Sequence, residues 1–511
     1  MSEVIVDTSA GRIRGYRTEG VSAFLGVRYG ALPDGGRFLP AMPARPAAGV
    51  TDALRFGPAA MQIDGRLYAD PEAPGPTRLY FPRTGGQTEG GDVSEDCLSL
   101  NVWTPAVDTS SRLPVLVWFH GGAFRAGSGA ATLTCGDALA ATERAVVVTV
   151  NHRLGVFGFL ALGDVLGEEY GASGAAGLTD MVLALRWVRD NIELFGGDPD
   201  RVCVFGQSGG GAKTAALLRM PSAAGLFRRC IVQSPGGSPL DAVQGRAQTD
   251  LLLSLLPLDD PRELTRLPAE MLLDAQRRLG GFAPMPVADG AVVVVDGDPA
   301  RAAHATDTEL MVGSTTHEWS LMLAGQPWYA GLCDADAAAR LGALLTAVGA
   351  PGLVIDDDDA RRLIGAVRER HPDEHPALLL MRVLSAHTFG REAAVLADAH
   401  VGLGSVYRYD FAYESDARPG PLGATHCIDV PCAFGTVRWT PLVGDRPERW
   451  ELESAVMDAW LRFAETGRPA DERAWPAWTG VSSVGRRFGD PSVDVFTPST
   501  AAGLDASPTM G

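Results

Sequence analysis

The feature that most limits the possible folds of this chain is an apolar strand that runs directly into a glycine-flanked serine. The apolar residues Val202–Phe205 are followed by Gly206–Gly210, which read G-Q-S-G-G. Glycines on both sides of Ser208 let the backbone turn sharply enough to hold a serine exposed between a strand and a helix. The small residues of Gly211–Leu218 suit that helix, because they allow close packing on a sheet. A glycine-rich turn with an incidental serine is the alternative, but this strand-to-helix context favours Ser208 as a nucleophile.

Further apolar runs rich in β-branched residues predict the other strands of a buried parallel sheet. Helical patterns lie between them, the clearest with apolar residues at helical spacing from Met181 to Phe195. Thr179 is the candidate start of this helix, and Gly196 and Gly197 mark its end. The alternation predicts an α/β fold with helices on both faces of a large, mostly parallel sheet. The predicted strands are Val115–Phe119, Ala145–Val150, Val202–Phe205, Cys230–Gln233, Leu310–Val312 and Val406–Tyr409.

Two segments depart from this alternation. Residues 240–280 and 330–400 are rich in Leu, Ala and Arg and have few strand signals. They are interpreted as helical insertions that cover the active-site end of the sheet. Because no glycine- or serine-rich linker separates them from the rest, residues 1–511 are predicted to form a single domain with insertions.

Charge and cysteine content restrict the partners and the location. The formal net charge is −18 without a cluster of basic residues, which argues against nucleic acids and anionic membranes, since both need cationic contacts to phosphates. The seven cysteines are an odd number without a CxxC pair, which suits a reducing compartment better than a thiolate metal site. No signal-peptide pattern opens the sequence, and its apolar runs are shorter than a membrane span. The expected location is cytoplasmic.

A serine hydroxyl needs a general base from elsewhere in the chain, because it is a weak nucleophile at its own pKa. In enzymes with this serine turn, an acid and then a histidine follow the nucleophile in the sequence. His426 is preferred as the base because it lies in a glycine-flanked loop, Gly423–Pro431, after a convincing strand. The other histidines with room for a preceding strand and acid are His371, His375, His387 and His400.

The orienting acid is less clearly marked. Glu318 follows the predicted strand Leu310–Val312 through a short polar segment, so it is slightly preferred. Asp289 and Asp307 remain alternatives. Any of the three carboxylates is also compatible with an ordinary solvated position.

A second glycine motif comes earlier in the chain. Residues Phe119–Phe124 read F-H-G-G-A-F and end an apolar strand. Two successive glycines allow a loop to direct backbone N–H groups at a developing oxyanion, which is usually the largest stabilising contribution in acyl transfer. A structural turn would also explain the glycines, but two such motifs, each behind a buried strand, favour catalysis.

Taken together, these motifs resemble the type-B carboxylesterase family, which includes cholinesterases and bacterial para-nitrobenzyl esterases. The resemblance extends over nearly the whole chain and implies the α/β-hydrolase fold. The segments that carry it are Phe24–Tyr29, Glu95–Val102, Asn151–Gly155, Gly196–Gly210 and Phe463–Pro469.

The resemblance also implies roles for individual residues. It assigns Ser208 as the nucleophile, Glu318 as the acid and His426 as the base. It further implies that the N–H groups of three residues form the oxyanion hole. These are Gly122, Ala123 and Gly209.

Three departures from the family pattern are visible. Secreted relatives pair the cysteine equivalent to Cys97 with an upstream cysteine, but no cysteine precedes Cys97 here. Gln207 stands before the nucleophile where glutamate is common, so a charge at that position is lost. The residues after His426 also differ, which affects the expected packing more than the chemistry.

The substrate pocket is expected to be apolar. Cholinesterases hold a cationic head group on a tryptophan just before the E-D-C-L motif, but no tryptophan lies between Gln62 and Asp96 in this sequence. That segment has Tyr68, Tyr80 and Phe81 instead. The tentative pocket residues are Phe124, Phe282 and Trp319.

The expected activity is hydrolysis of small neutral esters through an acyl-enzyme, without a metal ion or cofactor. Two alternatives stay open: transfer of the acyl group to an amine or alcohol, and hydrolysis of carbamates or amides. A third, a non-catalytic adhesion protein such as the neuroligins, is disfavoured because the candidate triad is complete. The sequence carries no signal for the oligomeric state.

Overall fold

The computed structural model of this chain is described over most of the sequence. Phe282 and most of the segment before Asp96 that was discussed for cation binding lie outside the described residues. The described ranges are 1–63, 93–280, 284–295, 305–348, 355–418, 420–480, 484–489 and 495–496.

A large mixed sheet forms the centre of the described chain. Its strands are β1 (Ser2–Thr8), β2 (Gly11–Thr18), β3 (Val21–Arg28), β4 (Ser99–Thr104), β5 (Leu113–Phe119), β6 (Val146–Val150), β7 (Gly197–Gln207), β8 (Arg229–Gln233), β9 (Glu309–Thr315), β10 (Val406–Phe411) and β11 (Gly485–Phe488). They lie in the spatial order β1-β2-β3-β4-β6-β5-β7-β8-β9-β10-β11. The strands β1 to β4 pair antiparallel, and the strands β5 to β11 are parallel to one another. Val50–Asp52 pairs with β2, and Val495–Phe496 pairs with β11.

The six predicted apolar runs form the parallel strands β5 to β10, which confirms the mostly parallel sheet. These strands are buried on both faces, so their sequences are continuously apolar and not alternating. Successive side chains of β5 enter two separate cores. Leu116 and Trp118 pack in one core, whereas Val115, Val117 and Phe119 pack in the other, on the opposite face.

Helices pack on both faces of this sheet. The longer ones are α1 (Ala176–Asn191), α2 (Gly209–Leu217), α3 (Ala242–Ser254), α4 (Ala269–Leu279), α5 (Asp334–Ala347), α6 (Asp357–Arg370), α7 (Pro376–Ser385), α8 (Arg391–His400), α9 (Asp429–Phe434) and α10 (Arg449–Thr466). Short helices are Asp137–Ala140, Gly155–Phe159, Gly163–Leu166 and Ser320–Leu323, and a π-helical turn, Ala386–Gly390, joins α7 to α8.

The predicted start of α1 is wrong. A 3₁₀ turn, Ser173–Ala175, runs directly into α1, which begins at Ala176. The hydroxyl of Thr179 therefore lies inside the first turn and donates to the carbonyl of Ala176 (2.8 Å) instead of capping a helix end. The α-helix ends at Asn191, earlier than predicted, and a 3₁₀ turn, Ile192–Phe195, follows it. The helical segment stops where predicted, because Gly196 adopts the left-handed conformation (φ 76°) and Gly197 starts the next strand.

Helices occupy both segments that depart from the strand and helix alternation. Residues 240–280 contain α3, α4 and a 3₁₀ turn between them, Pro261–Thr265. Residues 330–400 contain α5 to α8, and α8 packs against β9 and β10. None of the helices in the described ranges has the length and apolar character that crossing a membrane requires.

The topology brings the two glycine motifs together. β5 pairs with β6 on one side and with β7 on the other. The connections that leave β5 and β6 therefore lead to opposite sides of β5, which makes this position a topological switch point. In the shared register Phe119 lies beside Gly206, so the loops after β5 and β7 leave the sheet next to each other. Ligand sites in parallel sheets form at such points, outside the carboxyl ends of the strands.

Candidate active site

Ser208 lies in a strained turn between β7 and α2. Its backbone has φ 59° and ψ −127°, a conformation that is unfavourable for residues with a side chain. The flanking glycines are required sterically, because a Cβ atom at Gly206 would lie 2.6 Å from the Gly210 carbonyl oxygen. The Ser208 N–H donates to the Gln233 carbonyl (2.9 Å), which ties the turn to β8. The local sequence thus holds the half-buried serine at the end of the strand.

Glu318 and His426 are brought together by two loops that pair through their backbones. The His317 N–H donates to the Ala424 carbonyl (2.8 Å), and the His426 N–H donates to the Glu318 carbonyl (3.3 Å). Glu318 is fully buried, with one carboxylate oxygen accepting from the Thr315 N–H (2.7 Å) and the other in contact with Nδ1 of His426. From these partners we assign the proton to Nδ1, which leaves Nε2 as the basic nitrogen.

The alternative acids and two of the alternative bases have different surroundings. Asp289 and Asp307 are exposed, and Asp289 accepts from backbone N–H groups of its own loop. His375 accepts from the Ala377 N–H at the start of α7, and His400 contacts the Thr308 carbonyl (2.7 Å).

The basic nitrogen of His426 contacts Gln207. The Gln207 amide nitrogen lies 3.1 Å from Nε2, and its carbonyl oxygen accepts from the Cys427 thiol (3.2 Å). Within the described residues the Ser208 hydroxyl makes no hydrogen bond to His426. Catalytic hydrogen bonds are often long in substrate-free sites and shorten when substrate binds. Gln207 therefore offers Nε2 of His426 an uncharged hydrogen-bond donor, whereas the sequence indicated only that the charge of a glutamate is missing here.

Opposing effects set the basicity of His426. Burial lowers the pKa of the imidazole, but Cys427 and the Glu318 carboxylate favour the charged form and raise the pKa well above its usual value. A histidine can accept a proton only when neutral, so a reaction that used His426 as its base would become faster as pH increases through this raised pKa.

Asp429 is a second buried carboxylate near the histidine, and sequence reasoning missed it. One of its oxygens accepts from the Gln233 amide (2.9 Å) and the Tyr409 hydroxyl (3.1 Å). The other oxygen is buried without a partner among the described residues. Burial and the nearby Glu318 charge raise the pKa of Asp429 to about 6. Its position three residues after His426 was the available signal.

Asp429→Asn is expected to stabilise the protein more at pH 7.5 than at pH 4. The ordinary pKa is 3.8, so the folded chain holds a proton that the unfolded chain releases, and stability falls as pH rises from about 4 to 6. Asparagine removes this penalty, worth roughly 3 kcal/mol above pH 6. Melting temperatures of both proteins over this pH range measure it. A difference that does not change with pH would contradict the raised pKa of Asp429.

Three backbone N–H groups converge near Ser208. Gly122 and Ala123 have positive φ angles (98° and 52°), which turn this loop toward α2. A Cβ atom at Gly209 would lie 2.9 Å from the Ala123 nitrogen, so the two backbones are in close approach. The N–H groups of Gly122, Ala123 and Gly209 donate no hydrogen bond within the described part of the chain. These three N–H groups are therefore available to bind a negatively charged oxygen.

The pocket residues predicted from the sequence have different surroundings. Phe124 is buried and packs edge to face on Phe159 (6.0 Å between centroids). Trp319 donates from its indole nitrogen to the Thr388 hydroxyl (2.9 Å), and its ring lies 5.6 Å from that of Phe389. Phe282 is outside the described residues.

Phe389 is a site residue that the sequence did not reveal. Its ring lies 4.8 Å from the His426 ring, and an added Cβ at Gly236 would be 3.4 Å from Phe389 and 3.5 Å from Ser208. Phe389 belongs to the π-helical turn, which shifts the helical register and is common at functional sites. Periodicity alone cannot place such a residue.

One group of side chains has the composition of a metal site. Ligand atoms of His317, Glu374 and Glu414 lie within 4.8 Å of one another in the described structure. However, Glu374 forms an ion pair with Arg382 (2.5 Å) and contacts His317 (3.1 Å). The arginine already neutralises this carboxylate, so the group is best described as an ion-pair network.

The sequence and the fold are similar to those of known proteins. A family model described as the carboxylesterase family matches residues 2–487. Phenmedipham hydrolase of Pseudarthrobacter oxydans is 32% identical over 96% of this chain and 96% of its own length. Para-nitrobenzyl esterase of Bacillus subtilis is 32% identical over 94% and 93%. A solved carboxylesterase of Geobacillus stearothermophilus has a TM-score of 0.75 at 33% identity, covering 95% of this chain and 96% of that one. A solved PNB esterase has a TM-score of 0.78 at 28% identity, covering 99% of both chains.

Proposed function

The chain belongs to the carboxylesterase family and is a serine carboxylic ester hydrolase of the α/β-hydrolase fold, and on this basis we propose that Ser208, His426 and Glu318 are its catalytic triad. The contact between fully buried Glu318 and His426 supports this assignment most directly. Burying a carboxylate costs free energy unless the charge has hydrogen-bond or charged partners. Here the Glu318 carboxylate orients the imidazole beside the serine turn and stabilises its protonated form.

The proposed reaction has two halves. Nε2 of His426 takes the Ser208 proton as the hydroxyl oxygen attacks the ester carbonyl carbon. The resulting oxyanion accepts hydrogen bonds from the N–H groups of Gly122, Ala123 and Gly209. The C–O bond to the alcohol then breaks, and protonated His426 gives its proton to the departing alcohol. Water repeats the sequence on the acyl-enzyme and releases the carboxylic acid.

The proposed substrates are neutral esters with hydrophobic groups. Aromatic side chains lie close to the reacting groups, with Phe389 against His426 and Trp319 against Phe389. An apolar site rewards buried hydrophobic area at about 25 cal/mol per Å² and gives a permanent cation little in return. The tryptophan that would hold a cation is missing between Gln62 and Asp96, and with it about 2 kcal/mol of cation–π attraction.

Butyrylcholine is therefore expected to be hydrolysed with no higher kcat/KM than its uncharged analogue, 3,3-dimethylbutyl butyrate. The two esters have nearly the same shape, so the comparison isolates the charge. It should be made at moderate ionic strength, because the net charge of −18 attracts cations at low salt without orienting them. A clear preference for the choline ester would contradict the proposed substrate class and indicate a cation site formed by other residues.

We further propose that the enzyme works in a reducing compartment, the cytoplasm. All seven cysteines are free thiols, including Cys97, which is paired in secreted relatives. Burial raises the pKa of the Cys97 thiol, so it stays protonated and unreactive. Such a set of thiols suits a reducing environment.

A further inference from the structure

Lys213 is an unusual residue for this chain. It is the only lysine in the 511-residue sequence, whose other strongly basic side chains are all arginine. It lies in α2, five residues after Ser208, and is fully buried. No carboxylate pairs with it in the described structure, and its amine lies 2.9 Å from Nε2 of His152. Burial lowers the pKa of Lys213 well below its usual value, whereas an arginine would keep its charge at this position.

His152 stacks on a second buried histidine, His120. The two rings are parallel, with an interplanar angle of 2° and centroids 4.7 Å apart. Nδ1 of His152 lies 3.0 Å from the Arg153 carbonyl, and Nδ1 of His120 lies 2.9 Å from the Gly121 carbonyl. Because a carbonyl only accepts, each Nδ1 carries the proton, and Nε2 of His152 accepts from Lys213.

The carbonyl held by His120 belongs to the oxyanion loop. It is part of the peptide bond that joins Gly121 to Gly122, whose N–H is a proposed oxyanion donor. A trans peptide is planar, with its C=O and N–H pointing in opposite directions, so fixing the oxygen fixes the direction of the N–H. His120 itself has little freedom, because a Cβ atom at Gly127 would collide with its ring.

These contacts connect the two halves of the oxyanion hole. Gly209 and Lys213 lie on α2, whereas Gly122 lies in the loop after β5. His152 follows β6, in a loop anchored by the buried ion pair of Arg153 and Asp180 (2.7 Å). Resting on the triad and oxyanion hole proposed above, we propose that Lys213 is a positioning residue, which through the stacked pair His152 and His120 fixes the Gly121–Gly122 peptide for oxyanion binding.

Lys213→Met tests this inference, because methionine fills a similar volume but cannot donate to His152. We expect kcat for an aryl ester to fall roughly 10-fold or more with KM nearly unchanged, since oxyanion stabilisation acts in the transition state. Inhibition by a trifluoromethyl ketone, whose serine adduct carries an oxyanion, should weaken by the same factor as kcat/KM. A wild-type kcat, or a loss that is entirely in KM, would overturn the inference.

Two variants of His120 provide the matched comparison and do not depend on the folding of the lysine variant. His120→Asn keeps a donor for the Gly121 carbonyl but removes the ring that stacks on His152, so it should lose about as much kcat as Lys213→Met. His120→Phe keeps a ring for stacking but removes the donor, and should lose more kcat than either Lys213→Met or His120→Asn. Equal losses in both variants would show that this hydrogen bond has no role.

The double variant Lys213→Met/His120→Phe tests the connection itself. If Lys213 acts through His120, the double variant should be no slower than His120→Phe alone. Multiplied losses would mean that the two residues act separately, which overturns the inference. Stoichiometric labelling of Ser208 by a fluorophosphonate in the wild-type enzyme keeps this outcome distinct from failure of the proposed triad.

Discussion

Ser208→Ala is expected to lower kcat for para-nitrophenyl butyrate by roughly 10³-fold or more, because members of a triad act as a unit. The variant should fold normally. Ser208 contributes no side-chain hydrogen bond to the described structure, and the turn is fixed by its glycines and by the Ser208 N–H bond to Gln233. Some rate above that of water alone should remain, because the oxyanion donors are backbone groups that the substitution leaves in place.

Ser234 provides a matched control. It follows the adjacent strand β8, is fully buried, and also has a positive φ angle (45°). Its hydroxyl has no partner in the described chain. Ser234→Ala should therefore keep kcat within a few-fold of wild type. A Ser208→Ala enzyme that turns over as well as the Ser234→Ala control would place the nucleophile elsewhere.

Glu318→Gln is expected to lower kcat by roughly 10³- to 10⁴-fold while KM changes little. Glutamine has the same shape, so its carbonyl oxygen can still accept from the Thr315 N–H. Its amide nitrogen, however, donates where the carboxylate accepted, which forces the proton of His426 from Nδ1 to Nε2. The imidazole then cannot take the proton of Ser208.

The pH profile provides a second readout of Glu318. Removing the carboxylate takes away one of the two groups that raise the pKa of His426, while burial still lowers it, so the acid limb of kcat/KM should move to lower pH. The controls are Asp289→Asn and Asp307→Asn, both at exposed carboxylates, which should behave like wild type. If either control abolished activity while Glu318→Gln did not, the acid would be assigned wrongly.

The serine turn could be predicted because its signals are local. A buried strand, flanking glycines and a helix of small residues lie within about twenty positions, and each follows from backbone sterics. The parallel strands could be predicted equally well, since strands buried on both faces are continuously apolar. The start of α1 could not be predicted, because a 3₁₀ turn runs directly into the helix and Thr179 does not cap it.

The partners of Ser208 were harder to identify from the residues themselves. His426 and Glu318 are 108 positions apart and meet because two loops pair through their backbones. No period or motif encodes that pairing, so the family resemblance was needed to choose between carboxylates. Asp429 depends on the same tertiary contact.

Other site residues had no readable pattern. Phe389 reaches His426 only because a π-helical turn shifts its register. The stacking of His120 on His152 depends on the spatial neighbours β5 and β6, whose loops carry the two rings. The sequence shows a single lysine in a helix of mostly glycines and alanines, but only the structure shows that this lysine contacts His152.

Covalent labelling tests the central assignment most directly. A fluorophosphonate phosphonylates the activated serine of such a site, so intact mass spectrometry of the wild-type enzyme should show one adduct per chain. Peptide mapping should place the adduct on Ser208, and the Ser208→Ala protein should remain unlabelled under the same conditions. Labelling of another residue in the wild-type enzyme, or undiminished labelling of Ser208→Ala, would contradict Ser208 as the nucleophile.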